Sequence, residues 1–286
     1  MSGKLYVVGT PIGNLGDLSP RAAEVLGAVD FVAAEDTRVT LKLLNHFGIK
    51  KPLISYFEHN KLARGETVLA RIAGGEDCAL VSDAGMPAIS DPGELLVRQA
   101  HERGVPVVSV PGPSAVVTAL ALSGMPAGRF AFEGFLTVNR KNRLQRLQEV
   151  KDERRTMVFY EAPHKLLATL RDMLEAWGDR ELAIVRELTK VHEEVRRTTL
   201  AEAAAFYAQT APRGEFVLVV GGAPAPDRAE TPLEEAVELA RSLMAGGSPA
   251  SAAAKEAAAA TGRRKNEVYR ALVEPADAAQ GECPKG

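Results

Sequence analysis

A carboxylate, two hydroxyls and a glycine crowd one short stretch: Ser82, Asp83, Gly85 and Ser90 within ALVSDAGMPAISDPG, residues 79–93. Asp83, Ser82 and Ser90 offer acceptors and hydroxyls, and Gly85 lets backbone come close to a ligand. Such a set suits a small polar molecule. Its surroundings fit: Ala79, Leu80 and Val81 form a buried-strand pattern ahead of it. Asp91 and Pro92 follow as a helix-start signal, a capping carboxylate and then a proline suited to the first helical position. In α/β sheets small ligands bind at loops leaving the carboxyl ends of strands.

The same grammar recurs twice. VPVVSVPGPS (105–114) is a strand, a Pro/Gly turn and then an apolar helix pattern over Ala115–Leu122. LYVVGTPIGNLG (5–16) looks like a dinucleotide fingerprint, but Gly9, Gly13 and Gly16 miss the G-x-G-x-x-G spacing. Pro11 also removes a backbone donor where a pyrophosphate would need one. These loops point instead to a Gly/Pro cradle for another adenosine-containing molecule. Titratable residues sit at further strand ends: Glu35, Asp36 and Arg38 after Phe31–Ala34; Glu58, His59 and Asn60 after Leu53–Tyr56; Glu161 and His164 after Thr156–Tyr160; Glu187 and Lys190 after the strand from Glu181.

The elements that must position these groups alternate. Strand patterns at 5–8, 31–34, 53–56 and 79–81 are separated by helix patterns, one of them begun by Ser19-Pro20. This βαβα order predicts a largely parallel sheet with helices on both faces. Beyond residue 124 the pattern changes. An aromatic strand (130–136), a basic helix (139–155), a strand (156–160), a helix from Pro163 to Trp177 and a strand (181–187) precede two further strand patterns, 195–200 and 215–220. Hairpin-like spacing makes those last two antiparallel, giving a second α/β domain of mixed sheet. The expected division is an α/β domain over 1–124, another over 125–222, a linker over 223–231, a three-helix module resembling a helix-turn-helix over 232–274, and a disordered tail over 275–286.

A length of 286 residues accommodates this plan, and a net charge of −2 excludes a uniformly nucleic-acid-binding surface while leaving room for local patches. Two basic patches qualify: Arg140, Lys141 and Arg143 on the basic helix, and Arg263, Arg264 and Lys265 before the last helix. Cys78 and Cys283 give neither metal spacing nor a disulfide framework, so a cytoplasmic setting is expected. The start reads as a first strand rather than a signal peptide, and no segment approaches membrane-spanning length.

VVGTPIGNLGDLSPRA, AAEDTR, VSDAGMPAISDPG, VPGPSA, FEGF, FYEAPH and RELTK occur together and in order from Leu5 to about Gly221. In this the chain resembles the tetrapyrrole-methylase superfamily, in particular its ribosomal RNA branch. The resemblance implies two α/β domains with S-adenosylmethionine in the cleft between them, and a homodimer. It also implies methyl transfer to the ribose 2′-hydroxyl of a cytidine in the decoding region of small-subunit ribosomal RNA, as free RNA or in the 30S subunit. By motif it implies cofactor contacts from Pro11, Asp83, Gly85, Met86, Ile89 and Ser114, joined by Ser90, and from Tyr160, Leu188 and Gly214 of the second domain. Met86 departs from the family, which usually has Thr there; Thr137 and Tyr56-Phe57 are further departures.

Methyl transfer from a sulfonium needs positioning and desolvation more than a nucleophile triad or a metal. A ribose hydroxyl is a poor nucleophile, so a base would help. Asp36, Glu35 and Lys190 are the leading candidates, with Glu161 and Glu187 behind them; Arg38 could equally be a structural partner of Asp36. Arg38, His59 and Asn60, with the two basic patches, are the expected RNA contacts. Two other functions fit the residues: a C-methyltransferase acting on a tetrapyrrole, and a non-catalytic RNA-binding assembly factor.

Overall fold

The computed structural model describes residues 2–224 and 231–273. Residues up to 223 form one compact unit and those beyond it a second. The expected tail over 275–286 and most of the linker lie outside the described residues.

The first sheet comprises β1 (Leu5–Val8), β2 (Phe31–Ala34), β3 (Leu53–Ser55), β4 (Cys78–Val81) and β5 (Val107–Val110) in the order β3-β2-β4-β1-β5. All its pairings are parallel. The strands are apolar on both faces, as a sheet covered on both sides requires. Alternate residues take alternate sides. Leu5, Phe31, Ala33, Cys78 and Leu80 pack under α3 (Lys61–Ala73) and α4 (Glu94–Glu102). Val8, Val32, Ala34, Ala79 and Val81 pack under α1 (Pro20–Ala28) and α2 (Thr37–His46). The Ser19 hydroxyl accepts from the Ala22 N–H with Pro20 at the first helical position, as the sequence predicts.

The second sheet is mixed, in the order β6-β7-β10-β8-β9, from β6 (Phe130–Phe135), β7 (Thr156–Glu161), β8 (Glu181–Arg186), β9 (Glu194–Thr199) and β10 (Phe216–Val220). β6 and β7 are parallel; the other pairings are antiparallel. Strands 195–200 and 215–220 are not neighbours, contrary to their hairpin-like spacing. Helix α8 (Leu200–Gln209) intervenes and buries Leu200, Ala203, Ala204 and Tyr207, so β10 enters between β7 and β8. One face packs under α6 (Arg140–Glu149), α7 (Pro163–Trp177) and α8. The other receives α5 (Ala115–Ser123), whose Val116, Ala119 and Leu120 join Val158, Val185, Val217 and Val219. The helix that follows β5 thus seals the second sheet and fixes the loops of both sheets against one another.

In the second unit, α9 (Leu233–Ala245), α10 (Ala250–Thr261) and α11 (Lys265–Val273) share a small core of Ala236, Ala240, Ala253, Ala254, Ala257 and Val268. Gly262, left-handed at φ 76°, closes α10 and gives the tight turn expected of a helix-turn-helix.

Candidate active site

A cavity of about 400 Å³ opens where the strand-end loops of the two sheets meet. Of the residues expected at a cofactor, Gly85, Met86, Ile89, Ser90, Ser114, Tyr160 and Leu188 line it. Asp83 lies beside it, where its carboxylate accepts the Asp36 N–H at 3.0 Å. Pro11 is buried in the adjoining loop without lining the cavity. Gly214 also stands behind the wall: a Cβ there would lie 2.5 Å from the Glu187 side chain, so this glycine leaves room for that carboxylate.

Close backbone approach builds the walls. Thr10 and Gly85 exchange backbone hydrogen bonds of 3.0 and 3.1 Å, and Gly85 has φ 90°. A Cβ on Gly9 would meet Gly112 Cα and Met86 Sδ at 2.7 Å, so the first and fifth loops cross backbone on backbone. A Cβ on Gly13 would lie 2.6 Å from Lys190 Cγ and 2.9 Å from the Leu188 carbonyl, which docks the first sheet's loop on the second sheet's. Glu187 and Thr189 themselves carry positive φ, 52° and 63°, a strained conformation for residues with side chains. Lys190 holds that turn: its Nζ lies 2.9 Å from Glu187 Oε1 and 2.8 Å from Glu215 Oε2. Burial opposes the charge on Lys190, but the bonds to Glu215 and Glu187 prevail and raise its pKa. A lysine so committed braces the turn through its two ion pairs.

Asp91 lines the cavity, whereas Glu35, Asp36 and Asp83 stand behind it without lining it. Burial first, then the charges of Asp91 and Asp83, push Glu35 up; burial also raises Asp83 and Asp91. Asp36 goes the other way. It caps α2, accepting from the Arg38 N–H at 2.8 Å and from the Arg38 guanidinium, and those bonds lower its pKa to about 2. Asp36 is thus committed to capping α2, while Glu35 is pushed the other way. Glu161 is equally committed, accepting from Thr169 Oγ1, the Ala162 N–H and Lys165. Among the described residues no group of three or more His, Cys, Asp or Glu is arranged to hold a metal ion.

Asp91 was missed. The sequence predicts it as a helix cap, but α4 begins at Glu94 behind Gly93, and Asp91 lines the cavity. Phe135 and Glu215 also line the site. The FEGF motif carried a signal for Phe135; nothing local marked Glu215. Tyr160 stands between Phe132 and Phe135, ring centroids 5.0 and 5.4 Å away, and burial pushes its hydroxyl up to about 12.

The expected RNA contacts divide. Arg38 remains 86% exposed despite its bond to Asp36, and His59 is exposed. Asn60 braces its own turn, accepting from the Phe57 N–H and donating to the Ser55 carbonyl. On α6 the patch is largely neutralised. Arg143 is buried against Asp172 at 2.7 Å and also donates to the Thr137 and Val138 carbonyls. Arg140, itself 59% exposed, pairs with Asp172 and Glu175, which leaves Lys141 as the exposed cation of the three without an ion pair among the described residues. Arg143 is thus a structural ion pair rather than a phosphate contact. In the second unit Arg263 Nε donates to the Thr231 carbonyl, while Arg264 and Lys265 are both exposed.

Residues 4–204 match the family Tetrapyrrole (Corrin/Porphyrin) Methylases. The chain belongs to that family. Residues 230–276 match a second family, the RsmI C-terminal HTH domain. Among close relatives of this methylase is the ribosomal RNA small subunit methyltransferase I of Synechocystis sp., 47% identical over 95% of this chain and 98% of that protein. Another is the protein of the same name from Pseudomonas aeruginosa, 48% identical over 94% of this chain and 96% of that one. The methylase fold is shared with solved structures of low identity. A diphthine synthase superposes with a TM-score of 0.59 at 16% identity, covering 77% of this chain and 90% of its own. A uroporphyrin-III-C-methyltransferase from Thermus thermophilus gives 0.54 at 22% identity, covering 76% and 94%.

Proposed function

We propose that this methylase transfers the methyl group of S-adenosylmethionine to the ribose 2′-hydroxyl of a cytidine in the decoding region of small-subunit ribosomal RNA. The observation that carries the reading is likeness to ribosomal RNA small subunit methyltransferases I along nearly the whole chain, cleft and helix-turn-helix module together.

The cleft fits the cofactor. Ile12, Tyr160, Leu188 and Val217 form an apolar slot suited to an adenine. The Ser114 hydroxyl precedes α5 without bonding to it, so it and the first N–H groups of that helix can hold a carboxylate. Ser90 and Asp91 supply acceptors for an ammonium. The Gly85 cradle has no room for a Cβ without crowding Ile12 Cγ2 at 3.2 Å and the Pro113 carbonyl at 3.3 Å. When bound, S-adenosylmethionine supplies an electrophilic methyl on a sulfonium centre.

The chain's own contribution is orientation and a proton acceptor. Holding the reacting atoms in line is worth about 7–11 kcal/mol. Glu35, raised by burial and by neighbouring carboxylates, takes the proton from the 2′-hydroxyl as its oxygen attacks. The Lys190 clamp keeps Leu188 in the cofactor wall. Arg38, His59, Lys141 and the Arg264–Lys265 turn bind the RNA backbone. We further propose a cytoplasmic homodimer: α5 is apolar nearly all round, yet Val117 and Leu122 are 53% and 45% exposed.

The test is transfer from radiolabelled S-adenosylmethionine to small ribosomal subunits taken from cells lacking this protein, followed by alkaline digestion. A 2′-O-methyl group blocks cleavage at its own linkage, so label in one alkali-resistant dinucleotide is the expected result. Label in mononucleotides would mean base methylation. No label despite cofactor binding would turn the reading towards a tetrapyrrole.

A further inference from the structure

A second cavity, of about 340 Å³, adjoins the first and shares Asp91 with it. Its walls are the first turns of α3 and α4, with Lys61, Leu62, Glu94, Leu95 and Arg98 around it. We infer that this cavity receives the acceptor nucleobase and selects one whose Watson–Crick edge carries an amino group beside ring acceptors. The inference rests on the proposed function, since only an RNA acceptor would bring a base there.

Position, shape and chemistry argue for it. Asp91 lines both spaces, so a nucleotide with its base in the second cavity has its ribose at the Asp91 edge of the first. Leu62, 68% exposed, gives an apolar surface for a base face, with Leu95 beside it. A carboxylate and a guanidinium stand one helical turn apart, Glu94 and Arg98, yet neither makes an ion pair or hydrogen bond among the described residues. Both are exposed, and at this spacing each is within reach of the other. Lys61, by contrast, is occupied by Glu58 at 2.5 Å. An unused acceptor and an unused donor fork are what a cytosine or adenine edge needs: a carboxylate accepts from the exocyclic amine, and the guanidinium donates to the ring acceptors. Uracil presents an oxygen where cytosine presents the amine, so Glu94 would face it with repulsion.

The experiment uses the full chain and small subunits from cells lacking it. Once the labelled dinucleotide identifies the acceptor, subunits are reconstituted with uridine at that position. The wild type should label these with kcat/KM roughly 10–100-fold lower. Glu94→Gln, whose amide can donate as well as accept, should lose about tenfold on the native acceptor and narrow that gap. Arg98→Met should raise KM for subunits with kcat little changed. Calorimetry should give both variants wild-type cofactor affinity. Wild-type kcat/KM in both variants, with the gap unchanged, would overturn the pocket and leave the proposed function standing. Weakened cofactor binding in the variants would assign the cavity to the cofactor instead. A wild type that binds cofactor and labels no RNA would overturn the function, and the pocket with it.

Discussion

Arg143 separates two accounts of the basic helix, and its stability cost can be worked from the structure. Its side chain is 6% exposed and that of its partner Asp172 5%, at 2.7 Å, with a second arginine, Arg140, bonded to the same carboxylate at 3.0 Å. Removing one member of a buried pair costs about 3–5 kcal/mol, and Arg140, 59% exposed, offsets only part of the charge that Arg143 would leave on Asp172. Each kcal/mol lowers Tm by about 2–4 °C in a chain approaching this size, so Arg143→Met should melt roughly 6–20 °C early. The loss includes the bonds that fix the Thr137 and Val138 carbonyls ahead of α6. Asp172→Asn should cost less, because its amide oxygen still accepts. The double variant Arg143→Met/Asp172→Leu should recover much of the loss, since replacing both charges with apolar groups is often neutral. The assays are thermal and urea unfolding of the three variants, alongside RNA binding across a salt series. Below its melting range, Arg143→Met should keep the wild-type salt slope, whereas Lys141→Ala should flatten it by about one. An Arg143→Met variant that melts with the wild type and loses salt slope would refute the reasoning and return Arg143 to the RNA surface.

Glu35→Gln should lower kcat by about 10²–10⁴-fold with cofactor affinity unchanged; the wild-type pH–rate profile should rise on a group above the usual carboxylate range, and an unchanged kcat would remove Glu35 as base. Gly85→Ala places a side chain at φ 90°, which costs about 1–3 kcal/mol; calorimetry should show weakened cofactor binding, and intact affinity would mean that the cradle does not touch the ligand. Asp83 has a raised pKa, so between its unfolded and folded values the folded state holds more protons and stability falls as pH rises. Asp83→Asn should therefore melt above the wild type at pH 7 and lose that advantage at pH 3; equal melting at both would contradict the shift.

The parallel sheet was legible because its cause is local. Short apolar runs buried on both faces, Ser19-Pro20 ahead of α1 and Pro163 at the start of α7 each declare themselves within a few residues. The cleft was legible for a related reason: the loops that form it are the Gly, Pro, Ser and Asp clusters that follow strands. What failed to show was decided by partners distant in the chain. The charge of α6 reads as a nucleic-acid surface until Asp172, 29 residues beyond Arg143, cancels it. Asp91 satisfies every local rule for a helix cap, but α4 starts later, behind Gly93, and Asp91 is left lining the cavity. Nothing in the spacing of β9 and β10 reveals that α8 carries the chain across the sheet.

The same distinction explains why so many glycines stand around the cleft. Gly9 meets Gly112, and Gly13 meets the 188–190 turn, across separations that no local pattern records. Each contact is backbone against backbone or backbone against a clamped side chain, so any added Cβ must displace a wall rather than a rotamer. The second sheet's side of the cleft is held in a costly conformation, with two non-glycine residues left-handed, and Lys190 supplies the ion pairs that keep it there. Cofactor wall, strained turn and lysine clamp therefore form one mechanical unit. Substituting Lys190 should loosen cofactor binding through Leu188, because the two ion pairs that hold the turn go with it.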